Sequence, residues 1–239
     1  MKWFTVALAA VALAAPVAPA SAAGLRPFAA EYSVKYSSLS VGSSRLELRR
    51  DSQPGRWILE TKADASGLAR LIASGTLVQT SWLEVGQDGV RPLRFRFNDG
   101  MARSKEDVDL VFDWAGGRVS GTAKEKPVDE PTVANLQDPV SIQIATMRAL
   151  QDGRQPGQQS MIEGRKIKTY DYAFQRQERI KTGAGSYEAL VYTSSRAGSD
   201  RVTHMWLAPE LGYLAVQVEQ YRKGKRLFGM YLDSYQSRD

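Results

Sequence analysis

The chain has 239 residues, 43% of them apolar and 24% charged, with a formal charge of +6, a single histidine and no cysteine. Zero cysteine excludes a disulfide scaffold and any Cys-based zinc or iron–sulfur site, and one imidazole leaves His-rich metal sites short of ligands. A length of this order fits one ordinary core-forming domain behind a removable leader.

The N-terminus reads as an address. Lys2 supplies a positive start, Trp3 to Ala15 is an apolar run, and Ala20-Ser21-Ala22-Ala23 offers the small side chains a signal peptidase accepts. The run is shorter than the roughly 20 residues a bilayer span needs, and Pro16 and Pro19 close it. Residues 1–23 are therefore expected to be a cleaved signal peptide and 24–239 a single β-rich domain. Removal takes away only the charge of Lys2, and the exported, cysteine-free, basic remainder points to the bacterial periplasm.

From Phe28 onward the side chains keep period two, the spacing of a sheet with one wet and one buried face. Phe28, Ala30, Tyr32, Val34 and Tyr36 alternate with Glu31, Ser33 and Lys35. Trp57, Leu59, Thr61 and Ala63 repeat the pattern, followed by Leu93, Phe95 and Phe97 against Arg94 and Arg96, then Val108, Leu110 and Phe112 against Asp107, Asp109 and Asp113. The second half continues with Tyr170, Tyr172 and Phe174, with Leu190 and Tyr192, with Leu214, Val216 and Val218, and with Phe228, Met230 and Leu232. Asp88-Gly89, Asn98-Asp99-Gly100, Ala115-Gly116-Gly117, Gly183-Ala184-Gly185 and Lys223-Gly224-Lys225 supply the turns between them. About twelve strands follow, more than an open sheet holds flat.

Two stretches interrupt the strands. Asp138-Pro139 is an N-cap and first-turn pair, and apolar residues on two sides of 139–150 ahead of Gly153 predict one buried helix. Leu68, Leu71 and Ile72 stand at helical spacing between Gly67 and Gly75, a short helical turn. Lys124–Gln137 and Gln151–Gln159 read as loops. The fold expected is thus mainly β: a strongly curved antiparallel meander, an open barrel or spiral, wrapped on one helix.

Phe112-Asp113-Trp114, the Asp138-Pro-Val-Ser141 helix start with Met147-Arg-Ala-Leu150 and Gly153, and the Met205-Trp206-Leu207-Ala208 strand carry a family likeness. The chain resembles, from about Phe28 to Leu232, the exported bacterial family known as domain of unknown function 3108. That resemblance implies a periplasmic β-rich protein, similar in architecture to curved-sheet proteins that carry or receive lipoproteins, and it implies no catalytic residues.

Chemistry-bearing residues are sparse. His204 lies between Val202 and Trp206 on one strand face with no nucleophile-elbow or Ser-x-x-Lys motif elsewhere, so it reads as a packed or surface residue. The Asp107, Asp109 and Asp113 row is extended, whereas calcium wants a wrapping loop; the row reads as a solvated face bridged to Arg94 and Arg96. Basic residues at Arg45, Arg49, Arg50, at Arg165, Lys166, Lys168, and at Arg222, Lys223, Lys225, Arg226 would attract lipid headgroups or wall polymers; nucleic acid is not an expected partner outside the cytoplasm.

A sheet of that width encloses more than one helix fills, so large inward side chains either finish the packing or line a groove. The groove reading assigns Trp57, Trp82, Phe95, Phe112, Tyr170 and Trp206 to its wall, with Leu68, Leu71 and Ile72 on a flap. The function expected is non-enzymatic and cofactor-free: an envelope protein binding a lipid, lipoprotein or peptide in the concavity, with peripheral membrane contact. Two other readings stand beside it: strand addition at exposed edges, Phe28 to Tyr36 and Phe228 to Tyr235, or a hydrolase using His204 or the Asp row.

Overall fold

The computed structural model describes residues 24–67, 70, 75–101 and 105–238. The expected leader, residues 1–23, and the expected flap positions Leu68, Leu71 and Ile72 lie outside the described residues. Fourteen strands, rather than twelve, alternate up and down: β1 (Phe28–Tyr36), β2 (Leu39–Arg50), β3 (Arg56–Ala65), β4 (Leu77–Gly86), β5 (Gly89–Asn98), β6 (Val108–Asp113), β7 (Arg118–Ala123) and β8 (Lys126–Pro131) precede the helix α1 (Ser141–Gln151). After it come β9 (Gln158–Glu163), β10 (Lys166–Thr182), β11 (Gly185–Ser195), β12 (Arg201–Ala208), β13 (Leu214–Arg222) and β14 (Lys225–Ser237).

All fourteen join one antiparallel sheet in the order β8-β7-β6-β5-β4-β3-β2-β1-β14-β13-β12-β11-β10-β9. The first and last strands therefore pair with each other at its centre, from Phe28↔Ser237 to Tyr36↔Phe228. This corrects the expectation that they are its edges. The edges are β8, inside the stretch read as a loop, and β9. Both are protected. β8 carries Pro127 and Pro131 among Lys126, Asp129 and Glu130, residues that blunt an edge. Against β9, the backbone of Gln137 donates to Ser160 and its carbonyl accepts from Ile162, so part of that ladder is already satisfied.

Curvature is built in locally. Six of the strand pairs shift register, among them at Trp82/Leu83, Val34/Lys35 and Trp206/Leu207, and each bulge tightens the twist. The bulge opposite Trp82/Leu83 displaces Leu93 from the inward row, which then runs Val90, Pro92, Phe95 and Phe97. At Gly121, whose φ is +145°, a Cβ would stand 2.0 Å from the Asp109 carbonyl oxygen, so only glycine lets β6 and β7 approach so closely.

The helix lies within the curve and is buried on two sides, as its sequence required. Val140, Ile144 and Met147 join the main apolar cluster, which also holds Phe28, Tyr32, Leu46, Leu59, Phe95, Leu110, Val216 and Leu232. Leu150 packs on another side with Tyr192 and Leu207, and only Gln143 of the helix is exposed. The regular turns begin at Ser141, two residues beyond Pro139, but Asp138 still caps the helix.

Asp138 is wholly buried, and its Oδ1 accepts the backbone N–H groups of Val140 at 2.8 Å and Ser141 at 2.7 Å. The Ser81 hydroxyl of β4 donates to Oδ2 at 2.6 Å, and Ser141 Oγ accepts the N–H of Asp138 itself. Burial pushes this carboxyl above its ordinary range despite those donors. One side chain thus fixes the helix start and ties it to the sheet. Asp138→Ala leaves three buried donors without an acceptor and is expected to lower stability by about 2–4 kcal/mol, read from the urea midpoint; Asp138→Asn, which keeps Oδ1, should lose less.

Candidate functional site

Between the first turns of α1 and the concave face lies a cavity of about 410 Å³. Its floor is formed by Tyr32, Leu46, Met147 and Leu207, each at most 5% exposed, and its outer wall by the half-buried Ala63, Leu77, Val218, Phe228 and Met230. β1 to β4 supply one side and β12 to β14 the other, so the central β1–β14 pairing is what brings the two walls together. Among the described residues, no lysine, arginine, histidine, aspartate or glutamate lines it.

Among the polar side chains that line it, Tyr32, Thr146 and Tyr172 are engaged. The Tyr32 hydroxyl donates to the Ala215 carbonyl at 2.9 Å, and burial drives its pKa far up. Thr146 Oγ1 donates to the Ile142 carbonyl and accepts from Gln159 Nε2. Burial likewise raises the Tyr172 pKa against the hydroxyls of Ser194 and Thr146. Thr61 Oγ1 is different: it is buried and has no hydrogen-bond partner among the described residues.

The aromatic residues expected along a groove are elsewhere. Trp57, Phe95 and Phe112 share the packed main core; Arg50 lies over the Trp57 ring at 4.6 Å, and Phe112 stacks on Trp114 at 6.3 Å. Trp82 is half-buried beneath the Arg94 guanidinium, Tyr170 donates its hydroxyl to Glu163, and Trp206 Nε1 donates to Glu178 at 2.5 Å. None of these six lines the cavity. Large rings close space, whereas the hollow survives where inward positions hold Ser44, Thr61, Ala63 and Ala215. Those small residues occupy inward places in the period-two pattern, and they were the signal available in the sequence.

On strands β12 to β14, His204 sits 5.1 Å from the Tyr221 ring and 6.2 Å from Trp206, in register with Glu219. Glu219 is 5% exposed and accepts the hydroxyls of Tyr221 and Tyr231, each at 2.6 Å, and the Arg226 guanidinium at 2.9 Å. Burial alone would raise its pKa, but these three donors hold it below its ordinary 4.5, while burial and Glu219 push Tyr231 up to about 12. Of the Asp row only Asp109 is bridged to both arginines, meeting Arg94 at 2.7 Å and Arg96 at 3.0 Å, and the Arg94 bond holds it below the usual carboxylate range; Asp107 accepts from Asn98 and Asp113 from the Gly116 N–H. No group of three or more His, Asp or Glu side chains suited to a metal ion occurs among the described residues.

Fold and site together define a class: an antiparallel, β-barrel-like sheet curled without closing around a helix, with an uncharged hollow between them. Residues 31–226 match the family described as Protein of unknown function (DUF3108), and the chain belongs to that family. No curated protein matches the sequence. Among solved structures, the β-barrel-like protein of domain of unknown function DUF1849 from Brucella abortus aligns with a TM-score of 0.54 at 12% identity, over 90% of this chain and 99% of that one, a likeness of fold. A chain of the Pseudomonas aeruginosa MucA/MucB complex aligns at a TM-score of 0.42 and 11% identity, over 90% of this chain and 52% of that one.

A carboxylate whose folded pKa is depressed contributes stability that is present above its ordinary value and is lost as pH falls through the folded one. Glu219→Gln should therefore be less stable than the parent at neutral pH, and the gap between their urea midpoints should narrow as the pH drops below 4.5. A gap that stays constant down to acid unfolding would contradict the ion-paired reading of Glu219.

Proposed function

We propose that this is an exported protein of the cell envelope that holds an aliphatic chain, as part of a lipid or an acylated protein, in the cavity between α1 and the sheet. The observation that carries the reading is a hollow of about 410 Å³ whose twenty described lining residues include none that is charged. Its half-buried outer wall leaves the apolar side chains of Ala63, Leu77, Val218, Phe228 and Met230 partly in water, and an apolar occupant would remove that surface from solvent. A cavity of roughly 150 Å³ admits benzene, so this one suits on the order of fifteen carbons.

The occupant's buried part is neutral. A carboxylate or ammonium placed there would lose its hydration without meeting an opposite charge. An ester or amide carbonyl, by contrast, finds a free donor in the Thr61 hydroxyl and further donors in Gln79 and Gln143. The lining hydroxyls of Ser44, Thr61 and Thr146 have no histidine, lysine or carboxylate beside them in the cavity to activate them, which favours a carrier over a hydrolase. The small-residue leader at 1–23 supports export.

The reading is tested with N-phenyl-1-naphthylamine, a neutral fluorescent probe, and by native mass spectrometry of protein isolated from the cells that make it. We expect saturable probe binding that is lost when Ala63→Phe and Ala215→Phe together fill the cavity, with the fold retained by circular dichroism. Absence of both probe binding and a co-purified apolar mass would sink the proposal.

A further inference from the structure

The end of the sheet towards which the cavity wall rises carries an unusual surface. The β1–β2 turn presents Tyr36 at 57% exposure and Leu39 at 68%, the two most exposed large apolar side chains among the described residues. It is joined to the β13–β14 turn: the Ser37 N–H donates to the Leu227 carbonyl at 2.7 Å, and Tyr36 lies in register with Phe228, a residue of the cavity wall. The Arg226 guanidinium also donates to the Ser37 carbonyl at 3.4 Å, a second tie between the two turns.

Cations crowd the same place. Arg201, Arg222 and Lys225 face one another in register across β12, β13 and β14, and Lys223 projects from the turn itself. Arg222 is satisfied by Asp200 at 3.1 Å and Arg226 by Glu219 at 2.9 Å. Lys35, Arg201, Lys223 and Lys225 have no ion-pair partner among the described residues. Like charges directly opposite on paired strands repel, and Asp200, which meets Arg222 and lies near Lys223, offsets only part of that repulsion, so the row keeps an excess of positive charge. An aromatic and a leucine at a tip, flanked by an excess of basic side chains, match the chemistry of an anionic bilayer surface: rings and aliphatic groups seat at headgroup depth while lysines and arginines meet phosphates.

We propose that the joined β1–β2 and β13–β14 turns dock on an anionic phospholipid surface, with Tyr36 and Leu39 entering the headgroup region and Arg201, Lys223 and Lys225 contacting it. The geometry sets the cavity wall at Phe228 directly beside the docked tip, the arrangement a chain would need to pass from bilayer to hollow. Only that last step rests on the cavity reading; the docking surface stands without it.

The test uses residues 24–239, which contain every described strand, the helix and both apolar clusters, so that an uncleaved leader contributes nothing. Flotation with vesicles of phosphatidylcholine, with and without phosphatidylglycerol, should show binding that needs the anionic lipid and weakens with salt. Lys223→Glu with Lys225→Glu, and separately Tyr36→Ser with Leu39→Asp, should each reduce the bound fraction at least about tenfold. Leu39→Trp should show a blue-shifted emission on binding and quenching by brominated lipid. Failure of the parent chain to bind, or binding indifferent to the Tyr36/Leu39 pair, would overturn the proposal; the second result would leave only diffuse electrostatic adsorption or a protein ligand for this tip. Probe binding in the cavity is measured separately, so either proposal can fail without the other.

Discussion

A sheet of fourteen strands curled on itself must bury its concave face, and one eleven-residue helix is what lies inside to cover it. At 1.5 Å per residue the helix is about 16 Å long, whereas a twelve-residue strand such as β2 runs to about 40 Å. The helix cannot cover the face it packs on. Where β5 to β7 bring Phe95, Leu110, Phe112 and Val119 inward, side-chain volume closes the remainder and the packing is complete. Where β1 to β4 and β12 to β14 bring alanine, serine and threonine inward, it does not, and a hollow remains. Length mismatch and the distribution of residue size along the strands therefore decide where a ligand can sit.

The same mismatch explains the buried carboxylate at the helix start. A short helix held only by apolar contact could slide or rotate within a concavity larger than itself, because dispersion is not directional. Asp138 removes that freedom: two backbone N–H groups on one oxygen and the Ser81 hydroxyl on the other fix both position and rotation. Its carboxyl is displaced upward because desolvation outweighs those donors.

Much of the architecture was legible in the residues because alternation is a local signal. Period two at Phe28–Tyr36 and Trp57–Ala63 places strands, and Asp138-Pro139 with apolar residues all round places a buried helix near its true position. Pairing is not local. Nothing in Phe28–Tyr36 or Phe228–Tyr235 says that these segments, almost two hundred residues apart, are neighbours, and so they read as edges when they form the centre. The strand β8 was hidden by Pro127 and Pro131, which an edge tolerates and an interior strand does not. For the cavity, attention to Trp57, Phe95 and Phe112 followed apolar mass, while a hollow is defined by what is small. Thr61, Ala63 and Ala215 look unremarkable in a strand until the opposite wall is known.

Central pairing has a further mechanical consequence. Because β1 and β14 are joined along their length, the two arms of the sheet, β2 to β8 and β13 to β9, meet at the line on which both cavity walls come together. The arms are not sealed to each other at β8 and β9; the segment through Gln137 spans the gap, its side chain reaching the Val90 carbonyl at 2.9 Å while its backbone engages β9. Opening of the concavity is thus restrained at one seam by a few hydrogen bonds and at the other by a full antiparallel ladder. An occupant of the hollow touches both arms at once, since Tyr32, Leu46 and Leu77 stand on one side and Met205, Leu207 and Val218 on the other.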